Sequence, residues 1–137
     1  MQYYLDANTL IFILLDNECI HKDVTKIIEE PSNIFYVSAV AVREILHLYK
    51  TGKIGEHRYR TAKDILNAIE NLGIEIKSLN KSHLLVYANL DIVKGHNDPN
   101  DHIIISQAIA DKITLISSDR KFQEYTKQKL SFIFNKR

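Results

Sequence analysis

Five carboxylates stand where this chain changes from one pattern to another: Asp6, Glu44, Asp98, Asp101 and Asp119. The densest spot is Asn97-Asp98-Pro99-Asn100-Asp101-His102, followed by Ile103-Ile104-Ile105. Two acids there lie just ahead of, or within, the first turn of a helix apolar enough to be buried. One oxygen is enough to cap a helix, so the second acid asks for another role. Acids that converge repel one another, and without a cation some of them hold a proton. Oxygen donors of this kind suit Mg²⁺, or Mn²⁺ in its place, rather than zinc. The chemistry that follows is metal-assisted hydrolysis of a phosphodiester, in which the ion polarises the phosphate and lowers the pKa of a bound water. Asp6, Glu44, Asp101 and Asp119, with Asp98 beside them, are therefore expected to converge on one metal.

Each acid also has a plainer role. Asp6 can cap the helix that follows it, and Asp119 the short helix at Arg120. Asp98-Pro99-Asn100-Asp101 reads as a cap with proline at the first helical position and an acid two residues on. Glu44 can be a solvated helix residue. The gathering of several acids favours the site, because caps need not collect at one end of a sheet. Asn8 can hydrogen-bond the site or a phosphate, and Ser38 and Ser117 sit at strand ends where a hydroxyl can hold a ligand water; all three are equally ordinary turn or cap residues. The six histidines lack zinc-binding spacing, and the lone Glu44-x-x-His47 is half of a di-iron motif that needs two copies.

The elements that must position these residues alternate. Tyr3-Tyr4-Leu5 reads as a buried strand and Thr9 to Leu15 as a helix, ended by Asp16-Asn17. A helix over 23–30 stops at Pro31. Ile34 to Val37 is a second strand. Ser38 opens a helix to about Tyr49, with Val42, Ile45, Leu46 and Tyr49 on its apolar face. A helix through Ala62, Ile65, Leu66 and Ile69 ends at Gly73. Ile74-Glu75-Ile76-Lys77 alternates as a third, partly exposed strand. Asn80 or Ser82 caps a helix to about Leu90, and the Asp98-Pro99 junction opens one to about Asp111. Thr114-Leu115-Ile116 is a fourth strand, Phe122 and Tyr125 mark a short helix, and Ser131 to Phe134 is a fifth strand. This order argues for an α/β/α sandwich with a mainly parallel central sheet of about five strands flanked by helices. In an open parallel sheet, ligands bind beyond the carboxyl ends of the strands, where Asp6 and Asp119 fall.

The 137 residues suit one domain spanning 1–137, without repeat or linker. A net charge of +1 gives no overall field for nucleic acid, although a local basic face can coexist with an acidic pocket. Lys50, Lys53, Arg58, Arg60 and Lys63 cluster around one polar loop with Tyr59 and can guide an RNA backbone toward the acids; a solvated loop is the plainer reading. The single Cys19 has no partner for an internal disulfide. No apolar run reaches the roughly 20 residues of a membrane span, and the first residues carry no signal-like pattern. A cytoplasmic protein with no membrane attachment is expected.

The motifs in their order resemble a known family. Leu5-Asp6-Ala7-Asn8, Val37-Ser38-Ala39-Val40 with Glu44-Ile45, His96 to Asp101 with Ile105-Ser106-Gln107-Ala108, and Ile116-Ser117-Ser118-Asp119-Arg120 with Phe122 together look like a PIN-domain ribonuclease, and more narrowly a VapC-type toxin of a type II toxin–antitoxin pair. The resemblance implies a parallel sheet flanked by helices, an Mg²⁺- or Mn²⁺-dependent endoribonuclease, and an acidic quartet. Asp6, Glu44, Asp101 and Asp119 take the quartet's places. Asp98 matches the extra acid of the histidine-x-Asp-Pro variant. Ala7 stands where a hydroxyl residue is usual, which removes one hydrogen bond near the metal, and Ser117 stands where threonine is common. A homodimer and a small antitoxin whose tail occupies the groove near the acids are implied, with Ile11, Phe12, Leu15, Val42 and Leu46 as contributors to such surfaces or simply to the core.

In the leading reading Asp6, Asp101 and Asp119 bind the ion directly or through water, and Glu44 completes the shell or helps deprotonate water. Hydrolysis leaves the phosphate on the 5′ side, because a metal-activated water and not the ribose 2′-OH attacks. Two other readings compete. An aspartate-nucleophile phosphatase would use Asp6 but needs an acid where Asn8 stands. An inactive or receiver-like binding module predicts partner binding without cleavage, and Ser38, where such a module wants a phosphoacceptor aspartate, argues against the receiver form.

Overall fold

The computed structural model describes residues 1–55 and 57–137. The aromatic and β-branched runs form five strands: β1 (Gln2–Leu5), β2 (Ile34–Ser38), β3 (Ile74–Lys77), β4 (Thr114–Ser117) and β5 (Phe132–Phe134). All neighbours are parallel, in the order β3-β2-β1-β4-β5. The helices are α1 (Ala7–Leu15), α2 (Lys22–Glu29), α3 (Ala39–Lys50), α4 (Ala62–Asn71), α5 (Lys81–Asn89) and α6 (Pro99–Asp111), with 3₁₀ segments at Asn17–Cys19 and Arg120–Gln128. The expected α/β architecture is thus present, and the sheet is wholly parallel.

Register sets the level of the site. Leu5 pairs with Val37 on one side and Ile116 on the other. The next residues along, Asp6, Ser38 and Ser117, therefore emerge side by side at the carboxyl end of the three central strands. These strands are buried on both faces, which is why β1, β2 and β4 read as apolar runs instead of alternating. Tyr4, Leu5, Val37, Leu115 and Ile116 are each at most 1% exposed. Val42 and Ile45 of α3 join this core, and Ile11, Phe12, Leu15 and Leu46 pack partly buried against it. Of the five apolar residues singled out in the sequence, Val42 is interior, while Ile11, Phe12, Leu15 and Leu46 keep part of their surface exposed.

Two local differences from the sequence pattern have plain causes. Alternation in β3 would bury Ile76 with Ile74, yet Ile76 is 40% exposed; β3 is an edge strand. The short helix carrying Phe122 and Tyr125 winds as a 3₁₀ helix. Its three-residue turn places those two buried aromatics directly above one another. Elsewhere the sequence signals hold. Gly73 takes φ +77 just past α4, a left-handed conformation that glycine adopts without steric cost. Asn80 caps α5, and α5 is tied to the sheet by a buried relay: Tyr4 Oη and His83 Nε2 both bond the carboxylate of Asp111 at the end of α6. No described helix is long and apolar enough to cross a membrane.

Candidate active site

Asp6 follows β1 and caps α1, its Oδ1 accepting from the Thr9 N–H at 2.9 Å. Its Oδ2 accepts from Ser117 Oγ at the end of β4, and Ser117 Oγ in turn accepts from the Asp119 N–H at 3.0 Å. One buried hydroxyl thus ties the first acid to the loop that holds the last. Asp119 caps the 3₁₀ helix through the Lys121 N–H, 2.9 Å away. Asp98 caps α6 through the Asn100 N–H, with Pro99 at the first helical position. Asp101 lies within the first turn of α6 and caps nothing. Glu44 lies in the second turn of α3, half-buried. So three of the five acids are caps as well as members of the cluster.

Electrostatics shows that the five share one space. The Asp101 carboxyl is pushed up to about 8, first by burial and then by Asp98, Asp6, Asp119 and Glu44. Burial also raises Glu44, with Asp98 and Asp6 adding to it. Asp6 is raised by burial and by Asp119, against the opposing hydrogen bonds from Ser117 and Thr9. Carboxyls raised together in this way are stabilised by protons or a cation among them.

The donor set fits a divalent cation of the kind the sequence pattern implies. His96, Asp101 and Asp119 each present one ligand atom within 4.8 Å of the others. Asp6 adjoins Asp119 through the Ser117 bridge. His96, the histidine of the histidine-x-Asp-Pro motif, is a site residue whose role the sequence leaves unassigned. It is 2% exposed, and its Nε2 lies 3.1 Å from Asp101 Oδ2. Burial holds its ring below the ordinary imidazole pKa, with the Lys121 ammonium acting the same way and Asp119 and Asp98 opposing it. Asn8 is exposed on the first turn of α1, and Ser38 is a buried cap of α3. Hydrogen bonds to both of its oxygens fix the Asp6 carboxylate between α1 and the end of β4.

A protein-family model described as PIN domain matches residues 3–128. The chain belongs to the PIN domain family. Solved structures share its fold. VapBC2 from Rickettsia felis, bound to a DNA fragment from its promoter, superposes with a TM-score of 0.72 at 19% identity, over 98% of this chain and 99% of that one. VapBC-1 from nontypeable Haemophilus influenzae gives 0.65 at 20% identity, over 98% of each chain. A toxin–antitoxin complex from Klebsiella pneumoniae gives 0.57 at 17%, over 88% of this chain and 89% of that one. No curated protein matches the chain. At these identities the likeness is one of fold.

In this PIN domain the basic residues stand apart from the acids. Lys50 ends α3, and Lys53 and Arg58 line a concavity of about 420 Å³ with Leu15, Ile54 and His57. Arg60 and Lys63 are exposed around the start of α4. The acids sit toward the N-terminal ends of α1 and α3 and the basic loop at their C-terminal ends, roughly 13 Å along α1 at 1.5 Å per residue.

A residue outside the sequence pattern supports the Asp119 loop. Asn135, fully buried just after β5, donates from Nδ2 to Ser118 Oγ and to the Cys19 carbonyl, both near 2.9 Å. Its Oδ1 accepts from the His21 N–H and its own N–H donates to the Ser117 carbonyl. Asn135→Ala strands a backbone N–H and a carbonyl, each costing about 1–3 kcal/mol. The melting temperature is expected to fall by about 10 °C; a fall under about 2 °C by calorimetry would show the clamp to be dispensable.

Proposed function

We propose that this PIN domain is a metal-dependent endoribonuclease and the toxin of a toxin–antitoxin pair. The observation that carries the proposal is the mutual coupling of five carboxyls at the carboxyl edge of the sheet, with Asp101 pushed up to about 8. The fold shared with VapBC proteins and with a toxin–antitoxin complex supports the biological half. A small antitoxin protein and a second copy of this chain are the proposed partners, in the cytoplasm.

Asp6, Asp101 and Asp119 would hold the cation, Mg²⁺ or Mn²⁺, with Asp98 adding negative charge at the rim. When bound, the cation neutralises the phosphate and acidifies a water. Glu44 faces the cluster with no hydrogen-bond partner among the described residues, and its raised carboxyl suits it to accept the proton of the attacking water. Ser117 keeps Asp6 and Asp119 in one orientation. Water, not a ribose hydroxyl, attacks the phosphorus and the 3′-oxygen leaves, so the products carry a 5′-phosphate and a 3′-hydroxyl.

The test is cleavage of a pool of structured RNA by the purified chain with Mg²⁺, Mn²⁺ or EDTA. Discrete metal-dependent products that a 5′-phosphate-dependent exonuclease degrades would support the assignment. Intact RNA under every metal, from protein that is folded and free of partner, would favour the inactive-module reading.

Lys53 and Arg58 are proposed to contact the RNA backbone. Removing both by alanine should lower the slope of log K against log salt by about 1.4, at about 0.7 per single-strand phosphate contact. An unchanged slope in a filter-binding series would place the RNA on another face.

A further inference from the structure

His96 offers two incompatible roles beside Asp101 and Asp119: metal ligand, or orienting group. The hydrogen bonds around it decide between them. Tyr125 Oη accepts from the Val93 N–H at 3.1 Å and lies 2.8 Å from His96 Nδ1. Tyr125 is fully buried, so its one hydroxyl proton needs an acceptor, and His96 Nδ1 is the acceptor in reach. Nδ1 is then unprotonated, and the ring proton sits on Nε2, which faces Asp101 Oδ2 at 3.1 Å. A nitrogen that carries a proton has no lone pair for a metal. When Asp101 holds a cation it is ionised and only accepts. The two requirements agree on Nε2–H donating to Asp101.

The rest of the pocket holds the ring in that pose. The His102 Nε2–H donates to the His96 carbonyl at 2.8 Å, the His96 N–H donates to the Val93 carbonyl, and Lys121 Nζ donates to the Gly95 carbonyl. His102 and Tyr125 meet the imidazole edge-on, with ring centroids 4.7 and 5.4 Å away. Tyr125 belongs to the same 3₁₀ helix that Asp119 caps.

We propose that His96, its tautomer set by Tyr125, is a positioning residue that binds one oxygen of Asp101 and turns the other toward the cation, and that it is not itself a ligand. This rests on the cation-binding reading above and adds to it a link between α6 and the 3₁₀ helix. Among the described residues, Asp101 Oδ1 accepts no hydrogen bond, which leaves it free for an ion. Carboxylate–histidine pairs behind a metal typically change metal affinity or activity by about 10–100-fold when broken.

The test uses Mn²⁺ as the probe. In the unaltered chain loaded with Mn²⁺, pulsed EPR is expected to show no directly bound ¹⁴N. Mn²⁺ affinity by calorimetry should weaken about 10–100-fold in His96→Ala. It should weaken in Tyr125→Phe, which keeps the ring but loses the hydroxyl, and return largely in His96→Gln, which keeps a donor near Nε2. A strong ¹⁴N coupling from a bound imidazole overturns the proposal, and needs no variant to fold. Equal affinity in folded His96→Ala and Tyr125→Phe overturns it as well. Absence of any Mn²⁺ binding by the unaltered chain overturns the cation reading and this proposal together, whereas the ¹⁴N result overturns this proposal alone.

Discussion

Asp101→Asn is expected to abolish metal-dependent RNA cleavage and, at the same time, to raise the melting temperature of the metal-free protein at pH 8. The two halves come from one cause. Asp101 sits in the first turn of α6, caps nothing, and faces four other acids. Its charge is a cost to the empty fold, since burial and Asp98, Asp6, Asp119 and Glu44 all oppose ionisation. The amide keeps the shape and can still accept from His96, but it brings no charge to a cation or to the phosphate beside it. Loss of one such electrostatic contribution typically lowers the rate about 10²–10³-fold. A purely structural Asp101 gives a different pair of results: cleavage retained, and stability unchanged or lowered. Gel assays of RNA cleavage and calorimetric melts on the same two preparations separate the cases.

The second large effect is on stability against pH. A carboxyl whose folded pKa is raised binds its proton more tightly in the folded state than in the unfolded one. Its contribution to stability is therefore complete below the ordinary 3.8 and is lost as pH rises through about 8. Glu44 and Asp6 shift in the same direction and add to the loss. Asp111 works the other way. Burial opposes its charge, but the bonds from Tyr4 and His83 outweigh that and hold it below the usual range, so its contribution fades as pH falls through its lowered value. The metal-free chain should thus melt highest in mildly acidic buffer and progressively lower toward pH 8–9. Mg²⁺ or Mn²⁺ at about 100 times its Kd adds about 2.7 kcal/mol, a rise of roughly 10 °C in melting temperature at pH 8. At pH 5, where protons compete for the same oxygens, the rise should shrink. Melting curves that are flat from pH 5 to 9, and the same with metal as with EDTA, would mean that the acids do not share a site.

Much of this fold is written locally. Ser38, Thr61, Asn80 and Asp98 cap the helices they precede. Pro99 and Gly73 punctuate where their backbone chemistry requires. The apolar runs of the inner strands announce a sheet covered on both sides. The acids were legible for the same reason, since each stands at a strand-to-helix junction or in the first two helical turns. In a wholly parallel sheet every strand-to-helix junction falls at the same end, so Asp6, Ser38 and Asp119 would gather there as caps alone. The residues that distinguish a site from a row of caps are Asp101 and Glu44, which face the cluster without capping any helix. What stayed hidden depends on tertiary contact. His96 follows no metal-binding spacing, and its partner Tyr125 lies 29 positions along the chain. Asn135 reaches residues 114 and 116 positions away. No local pattern carries such pairings.

The placement of β1 bears on how the protein is made. This first strand lies in the middle of the sheet, and its β4 neighbour comes from the far end of the chain. Asp6 and Ser117 are 111 positions apart. A nascent chain that has emerged through α5 exposes Asp6 and Glu44 but none of the other acids, and β1 then has only one of its two flanking strands. At 5–20 residues per second, on the order of ten seconds of synthesis separate the first acid from the last. The cluster therefore cannot close until α6 and β4 have been made and β4 has paired with β1.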